Sequence, residues 1–293
     1  MKPRMIFSFG GWSASTPLQK TLIKNKVVCK PVIKEPNILP SIIQQNSSLV
    51  LGKYIHCKEN NKEGYEVFRC NTIDKYIDWL LRRYHNNDCS AVSDATNTHA
   101  YFDVNDIAKF ATKFKEVFDV KVLIICRNPV RRLFSHLNAI GKVLPIPDGH
   151  SLDNLGQNER LECVMDYLSK PAPVHFPGQL KNYRQGKFEP FMDTNYPEII
   201  SNWSQFFDTH VICMEDLWGD KREALQRLNT FLGTNITKLT PNVYYPELGP
   251  NAPRLEGLKD QWISDTEFIT EKNYNLAREK LNWVYEGLTD YWA

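Results

Sequence analysis

Residues Val120–Cys126 read Val-Lys-Val-Leu-Ile-Ile-Cys, a β-branched, apolar run with no alternation. Successive side chains of a strand point to opposite faces, so a strand with one wet face alternates apolar and polar residues. A run that does not alternate is buried on both faces. It belongs at the centre of a parallel sheet, whose strands need long crossover connections, usually helices. The rest of the chain agrees. Arg4–Phe9 reads as a short buried strand, Val27–Ile33 as a second, Cys89–Ser93 as a third and His210–Met214 as a further one. Between them lie helical faces: Ile73, Ile77, Leu80, Leu81 and Tyr84 on one, Ile107, Phe110, Ala111 and Phe114 on another. Helices are also expected over Val130–Ile140, Glu159–Leu168, Glu198–Phe207, Lys221–Leu232 (closed by Gly233) and Glu267–Leu288. Strands alternating with helices predict the α/β class, with a parallel sheet covered by helices on both faces.

The chain has 293 residues, 42% of them hydrophobic, which is enough for one large α/β domain with insertions, though two small domains would also fit. The expectation is a single domain over 1–293. Residues 141–195, rich in Pro, Gly and Asn, read as an insertion that shapes an acceptor site. A net charge of +2 gives no reason to expect a nucleic-acid partner. The apolar run at the start is too short for a signal peptide, and no run approaches the ~18 residues of a membrane span. Seven cysteines are scattered, odd in number and without metal-ligand spacing. They suggest reduced thiols in a cytoplasmic protein, with no metal expected. Asn-x-Ser/Thr triplets at Asn46, Asn202 and Asn235 read as chance occurrences in that setting. The sequence leaves the oligomeric state open.

Two segments suit anions. After the first strand comes Gly10-Gly11-Trp12-Ser13-Ala14-Ser15-Thr16-Pro17-Leu18, a turn through small residues into a helix start. Backbone N–H groups and the helix dipole there favour negative charge, and the hydroxyls of Ser13, Ser15 and Thr16 add donors. The same stretch would serve equally as a capped, solvent-exposed turn. No Gly-Lys-Ser/Thr follows the glycines, which argues against a nucleoside-phosphate kinase, ATPase or GTPase. After the Val120–Cys126 strand comes Arg127-Asn128-Pro129-Val130-Arg131-Arg132-Leu133-Phe134-Ser135. Arg127 leaves the carboxyl end of the strand, where ligands bind in open α/β sheets. Arg132 and Ser135 lie one helical turn apart, and a guanidinium fork with a hydroxyl suits a terminal phosphate.

Together these segments resemble the sulfotransferase family. Its 5'-phosphosulfate loop reads Lys-Ser-Gly-Thr-Thr-x-Leu, against Trp12–Leu18 here. Its 3'-phosphate motif reads Arg-Asp/Asn-Pro-x-x-Arg-x-x-Ser, which Arg127–Ser135 matches at every fixed position. Lys34-Glu35-Pro36-Asn37 is similar to the Lys-Glu-x-His stretch of bacterial and carbohydrate-type members. Ser93–Asn97 with Tyr101-Phe102, and Val211–Leu217 with Phe231-Leu232-Gly233, resemble two later segments. The likeness spans roughly residues 4–260 and implies a P-loop-like three-layer fold.

The resemblance also implies an activity: transfer of a sulfuryl group from 3'-phosphoadenosine 5'-phosphosulfate to a hydroxyl or amine of a carbohydrate or other small acceptor. Glu35 is the implied base, and Lys34 would contact the sulfuryl group or the base. Trp12, Ser13, Ala14, Ser15 and Thr16 would hold the phosphosulfate end. Arg127 and Ser135 would hold the 3'-phosphate, and Arg254 resembles a late basic loop over the nucleotide. His99 and His136 are alternative bases or plain structural histidines. The chain departs from the family at Trp12, where the loop lysine stands in relatives. Loss of such a charge donor typically costs about 100- to 1000-fold in rate. Either Lys34 or Lys20 supplies the charge, or the protein binds nucleotide or glycan with little or no turnover.

Overall fold

The computed structural model describes residues 2–10, 15–31, 37–45, 62–130, 132, 195–218, 222–240, 275, 277–279 and 281–288. Trp12, Ser13, Ala14, Lys34, Glu35, Ser135, His136, Arg254, nearly all of the 141–195 insertion and the segment read as the helix Glu159–Leu168 lie outside them. The chain forms two compact units, Met1–Cys126 with Glu198–Pro241 and Arg127–Pro197 with Asn242–Ala293.

In the first unit, chain order runs β1 (Arg4–Phe9), α1 (Ser15–Lys24), α2 (Ile38–Ile43), α3 (Lys62–Val67), α4 (Ile73–His85) and β2 (Ala91–Asp94). A 3-10 turn, Asn97–Tyr101, leads to α5 (Val104–Val117) and β3 (Asp119–Cys126). After α6 (Tyr196–Ser204) come β4 (Asp208–Cys213), α7 (Met214–Trp218) and α8 (Arg222–Leu232). The four strands form a parallel sheet in the order β2-β1-β3-β4. From Val122 to Cys126 no residue of β3 is more than 1% exposed, as its unbroken apolar run requires. The register sets Phe7 of β1 between Asp94 and Val122, and Cys126 opposite Cys213.

The helices follow from their stripes and caps. Ile107, Phe110, Ala111 and Phe114 of α5 are all buried. The Asp103 carboxylate accepts the Asp106 N–H at 2.9 Å and starts that helix. Thr72 caps α4 in the same way through Lys75 N–H. Gly233, at φ 62°, ends α8 in the left-handed conformation that suits glycine. The core is aromatic. The Phe7 ring lies 5.3 Å from Trp203, 5.5 Å from Phe114 and 5.9 Å from Phe110, distances at which tilted rings attract.

Three sequence readings change. Val27–Ile33 is not a strand over its described part: only Val28 bridges Ala91, in parallel. Pro31 has no N–H to carry a ladder further. The third strand runs Ala91–Asp94, starting two residues and ending one residue later than its composition suggests. Cys29 and Cys89 are joined as a disulfide, with Cα atoms 5.1 Å apart, and are not both reduced thiols. Backbone pairing brings them together: Cys29 N–H donates to Ala91 O and Ser90 N–H donates to Lys26 O. Cys70 and Cys213 remain thiols, pushed up by burial to about 11 and about 12 respectively. Asn202, one of the Asn-x-Ser/Thr positions, is 8% exposed and donates to Phe102 O. It is a structural side chain.

In the second unit, Arg132 N–H donates to Asn128 O at 2.9 Å, closing the first helical turn after Pro129. The last described element there is α9 (Asn282–Leu288). Ala277, Leu281, Val284 and Leu288 are fully buried at helical spacing. Among the described residues, no helix is long and apolar enough to cross a membrane.

Candidate functional site

Gly10 and Thr16 come after β1 in the chain, Asn97 after β2 and Arg127 after β3, while Trp12, Ser13, Ala14, Lys34, Glu35, Ser135 and Arg254 lie outside the described residues. β1 ends at Phe9 and the chain turns at Gly10, with α1 starting at Ser15. A helix therefore begins soon after the first strand, as the sequence reading expected; residues 11–14 lie outside the described residues. Gly10 is required by close approach: a Cβ there would lie 2.2 Å from the Ile125 carbonyl oxygen of β3. Its N–H donates to Asn97 Oδ1 at 3.3 Å.

A buried amide fixes the direction of α1. Gln19 Nε2 donates to Ser93 Oγ of β2 at 2.9 Å, and Ser8 Oγ of β1 donates to Gln19 Oε1 at 3.4 Å. One glutamine thus ties the helix to two strands. Thr16 is half-buried in the first turn, while Lys20, a candidate replacement for the missing loop lysine, is exposed. Thr21 Oγ donates to Pro17 O and accepts from Thr240 N–H, so it supports the helix.

The segment after β2 is a second gathering point. Asn97 holds Gly10, and the next residue, Thr98, donates its hydroxyl to Asn37 Oδ1 at 3.0 Å. Asn37 adopts φ 56°, ψ 25°, a left-handed conformation that asparagine tolerates far better than most residues. The turn itself is anchored from behind. Asp94, 1% exposed, accepts from Thr96 Oγ at 2.5 Å and Tyr76 Oη at 2.8 Å. Trp203 Nε1 donates to His99 O at 3.2 Å.

His99 is no base for an acceptor. Its ring is fully buried among Phe7, Phe9, Phe102 and Trp203, with Nε2 3.4 Å from Asp94 Oδ2. Burial pushes its pKa below the usual value, and the weaker pull of Asp94 upward does not reverse this. It is a structural histidine.

Arg127 is the residue after the last of β3 and is 3% exposed. Its N–H donates to Tyr196 Oη at 3.2 Å. The neighbouring Asn128 Oδ1 accepts from Tyr285 Oη at 2.9 Å. Arg132, five positions on, is fully buried. Two tyrosines, from the start of α6 and from α9, therefore set the backbone and side chain that open the second anion segment. Sequence reasoning missed both, as it missed Gln19 and Thr98. Each is a lone polar residue whose partner lies far away in sequence, so spacing carries no signal for it.

No family model and no curated protein matches the chain. Solved structures do. A sulfotransferase from Alicyclobacillus acidocaldarius aligns over 98% of this chain and 96% of its own, at 16% identity and a TM-score of 0.50. A sulfotransferase domain from the Synechococcus PCC 7002 olefin synthase aligns over 99% and 95%, at 15% identity and a TM-score of 0.50. The fold is sulfotransferase-like. The expected P-loop-like α/β class, with a central parallel sheet among helices, is borne out. At this identity the likeness concerns the fold alone.

Proposed function

We propose that this chain is a sulfotransferase that moves a sulfuryl group from 3'-phosphoadenosine 5'-phosphosulfate to a hydroxyl or amine of a carbohydrate or other small acceptor. Arg127 carries the reading. It is a permanent cation, nearly buried, at the carboxyl end of a central parallel strand, and it opens the Arg-Asn-Pro-x-x-Arg-x-x-Ser motif. A guanidinium fork suits a phosphate dianion, and with Ser135 it holds the 3'-phosphate. Gly10, which admits no side chain, and the helix start at Ser15 suit the phosphosulfate end, with Trp12, Ser13, Ala14 and Thr16 around it. Arg254 adds a cation over the nucleotide, and residues 141–195 shape the acceptor site.

In the reaction, the acceptor oxygen or nitrogen forms a bond to sulfur while the bond from sulfur to the bridging 5'-phosphate oxygen breaks. The acceptor proton passes to Glu35, and adenosine 3',5'-bisphosphate leaves. Negative charge grows on the bridging oxygen, where relatives place a lysine and this chain has Trp12. Lys34 takes that role. Trp12 also favours a second reading, a nucleotide- or glycan-binding protein without turnover.

Radiolabelled donor, offered with a panel of glycans, phenols and amines, separates the two. Transfer is expected, with Glu35→Gln abolishing it while adenosine 3',5'-bisphosphate still binds. A charge-assisted contact is worth about 1.5–3 kcal/mol, so Arg127→Ala should weaken bisphosphate binding by roughly 10- to 100-fold. Binding without transfer or donor hydrolysis would establish the second reading. Unchanged affinity in Arg127→Ala would remove the phosphate assignment.

A further inference from the structure

Two tyrosines from distant parts of the second unit meet two consecutive residues, Arg127 and Asn128. Tyr196 Oη accepts the Arg127 N–H at 3.2 Å, and Tyr285 Oη donates to Asn128 Oδ1 at 2.9 Å. Tyr196 is 1% exposed, so its bond is shielded from competing water. The supports of the two rings are packed on each other. A Cβ added to Gly287 of α9 would lie 2.3 Å from Pro197 Cγ and 2.9 Å from Pro197 Cβ, and Pro197 directly follows Tyr196. A proline ring cannot swing aside as a flexible side chain can. The Tyr285 ring also carries the Arg278 guanidinium, whose carbon is 4.8 Å from the ring centroid, a cation–π distance. Asn128 O accepts the Arg132 N–H, which holds the turn beyond. One residue is thus held at its amide and the next at its side chain. Together these contacts fix the backbone from which the Arg127 guanidinium extends. A guanidinium fork reads phosphate through fixed geometry, so an error of about an ångström at its root is felt at the ligand.

We propose that Tyr196 and Tyr285 are positioning residues for phosphate recognition. Acting through the Arg127 amide and the Asn128 side chain, they set the root from which the Arg127 guanidinium reaches the 3'-phosphate of the nucleotide. The proposal rests on the sulfotransferase reading and deepens it. Preference for a 3'-phosphorylated nucleotide becomes a joint property of Arg127 and of two phenols carried by α6 and α9. Neither tyrosine needs to touch the ligand: the charge of Arg127 holds the phosphate, and the phenols decide where that charge stands.

The test uses Tyr196→Phe and Tyr285→Phe in the full-length protein, each of which keeps the ring and removes the hydroxyl. Both are titrated with adenosine 3',5'-bisphosphate and with adenosine 5'-monophosphate, which lacks the 3'-phosphate. Loss of one hydrogen bond corresponds to about a 3- to 10-fold effect. Each variant should weaken bisphosphate binding by about that factor and leave the monophosphate Kd unchanged. In an Arg127→Ala background the same substitutions should have no further effect, because the tyrosines act through Arg127. A merely structural tyrosine would lower the melting temperature and weaken both nucleotides alike. An undiminished preference for the bisphosphate in either variant overturns the proposal, and so does full additivity with Arg127→Ala. If the wild-type protein binds neither nucleotide, or both equally, the sulfotransferase reading falls first and the positioning role falls with it. Wild-type preference that survives in the variants removes the positioning role alone.

Discussion

His99 shows how one side chain in this core responds to pH. Its ring has no solvent exposure, and burial holds its pKa below the ordinary 6.5, with Asp94 opposing more weakly. Asp94 is already taken by the hydroxyls of Tyr76 and Thr96, so the pocket is arranged around a neutral imidazole. A pKa lowered by folding has a definite sign. Above pH 6.5 both states are neutral and His99 adds no pH dependence. As the pH falls below 6.5, the unfolded chain takes up a proton that the folded state refuses, and stability drops until the folded-state pKa is reached. One proton sets a ceiling of about 1.4 kcal/mol per pH unit. Urea unfolding at pH 7.5, 6.5 and 5.5 should therefore show a larger acid loss for wild type than for His99→Phe; parallel curves would mean that His99 titrates alike in both states. The sequence left His99 open between catalysis and structure. What decides it, the rings of Phe7, Phe9 and Trp203, arrives from β1 and α6 and leaves no local mark.

At the scale of elements, legibility follows the length of the signal. β3 and α5 were readable because an unbroken apolar run and a four-residue stripe each dictate burial by themselves. Val27–Ile33 misled because its composition suits a strand while its pairing depends on a neighbour and is stopped by Pro31. The helix start soon after β1 was readable from the small residues before it, but the reason for glycine at position 10 was not. That reason is the neighbouring strand: an added Cβ would sit 2.2 Å from Ile125 O and 2.8 Å from Ile125 Cβ. Backbone cannot step aside as a flexible side chain can, so β1 and β3 must separate at their carboxyl ends. Gly10→Ala is expected to cost about 1–3 kcal/mol, the range for overpacked interiors, and to weaken bisphosphate binding as well. Urea midpoints and a binding titration on the same variant check both. A stable variant with normal affinity would show that the two strand ends have room that the present geometry denies.

For the whole molecule, the α/β class was legible because it rests on local patterns. Long-range closure was not. Seven scattered cysteines give no connectivity, and the expectation of reduced thiols treated them as independent core residues. The Cys29–Cys89 link depends on the chain after α1 coming to lie beside the start of β2. It closes a loop with a sequence separation of 60, and the chain-entropy relation then gives about 4 kcal/mol of stabilisation through the unfolded state. That is a large share of the ~5–15 kcal/mol typical of a folded protein. Guanidinium unfolding with and without reductant should therefore differ by up to about this amount, and Cys29→Ala with Cys89→Ala together should reproduce the reduced curve under both conditions. Thiol titration of the denatured protein supplies the independent count: five reactive thiols are expected if only this pair of the seven is oxidised. Seven thiols and coincident unfolding curves would restore the reduced state, the one that suits a cytoplasmic protein; a stable link would instead suit an oxidising compartment.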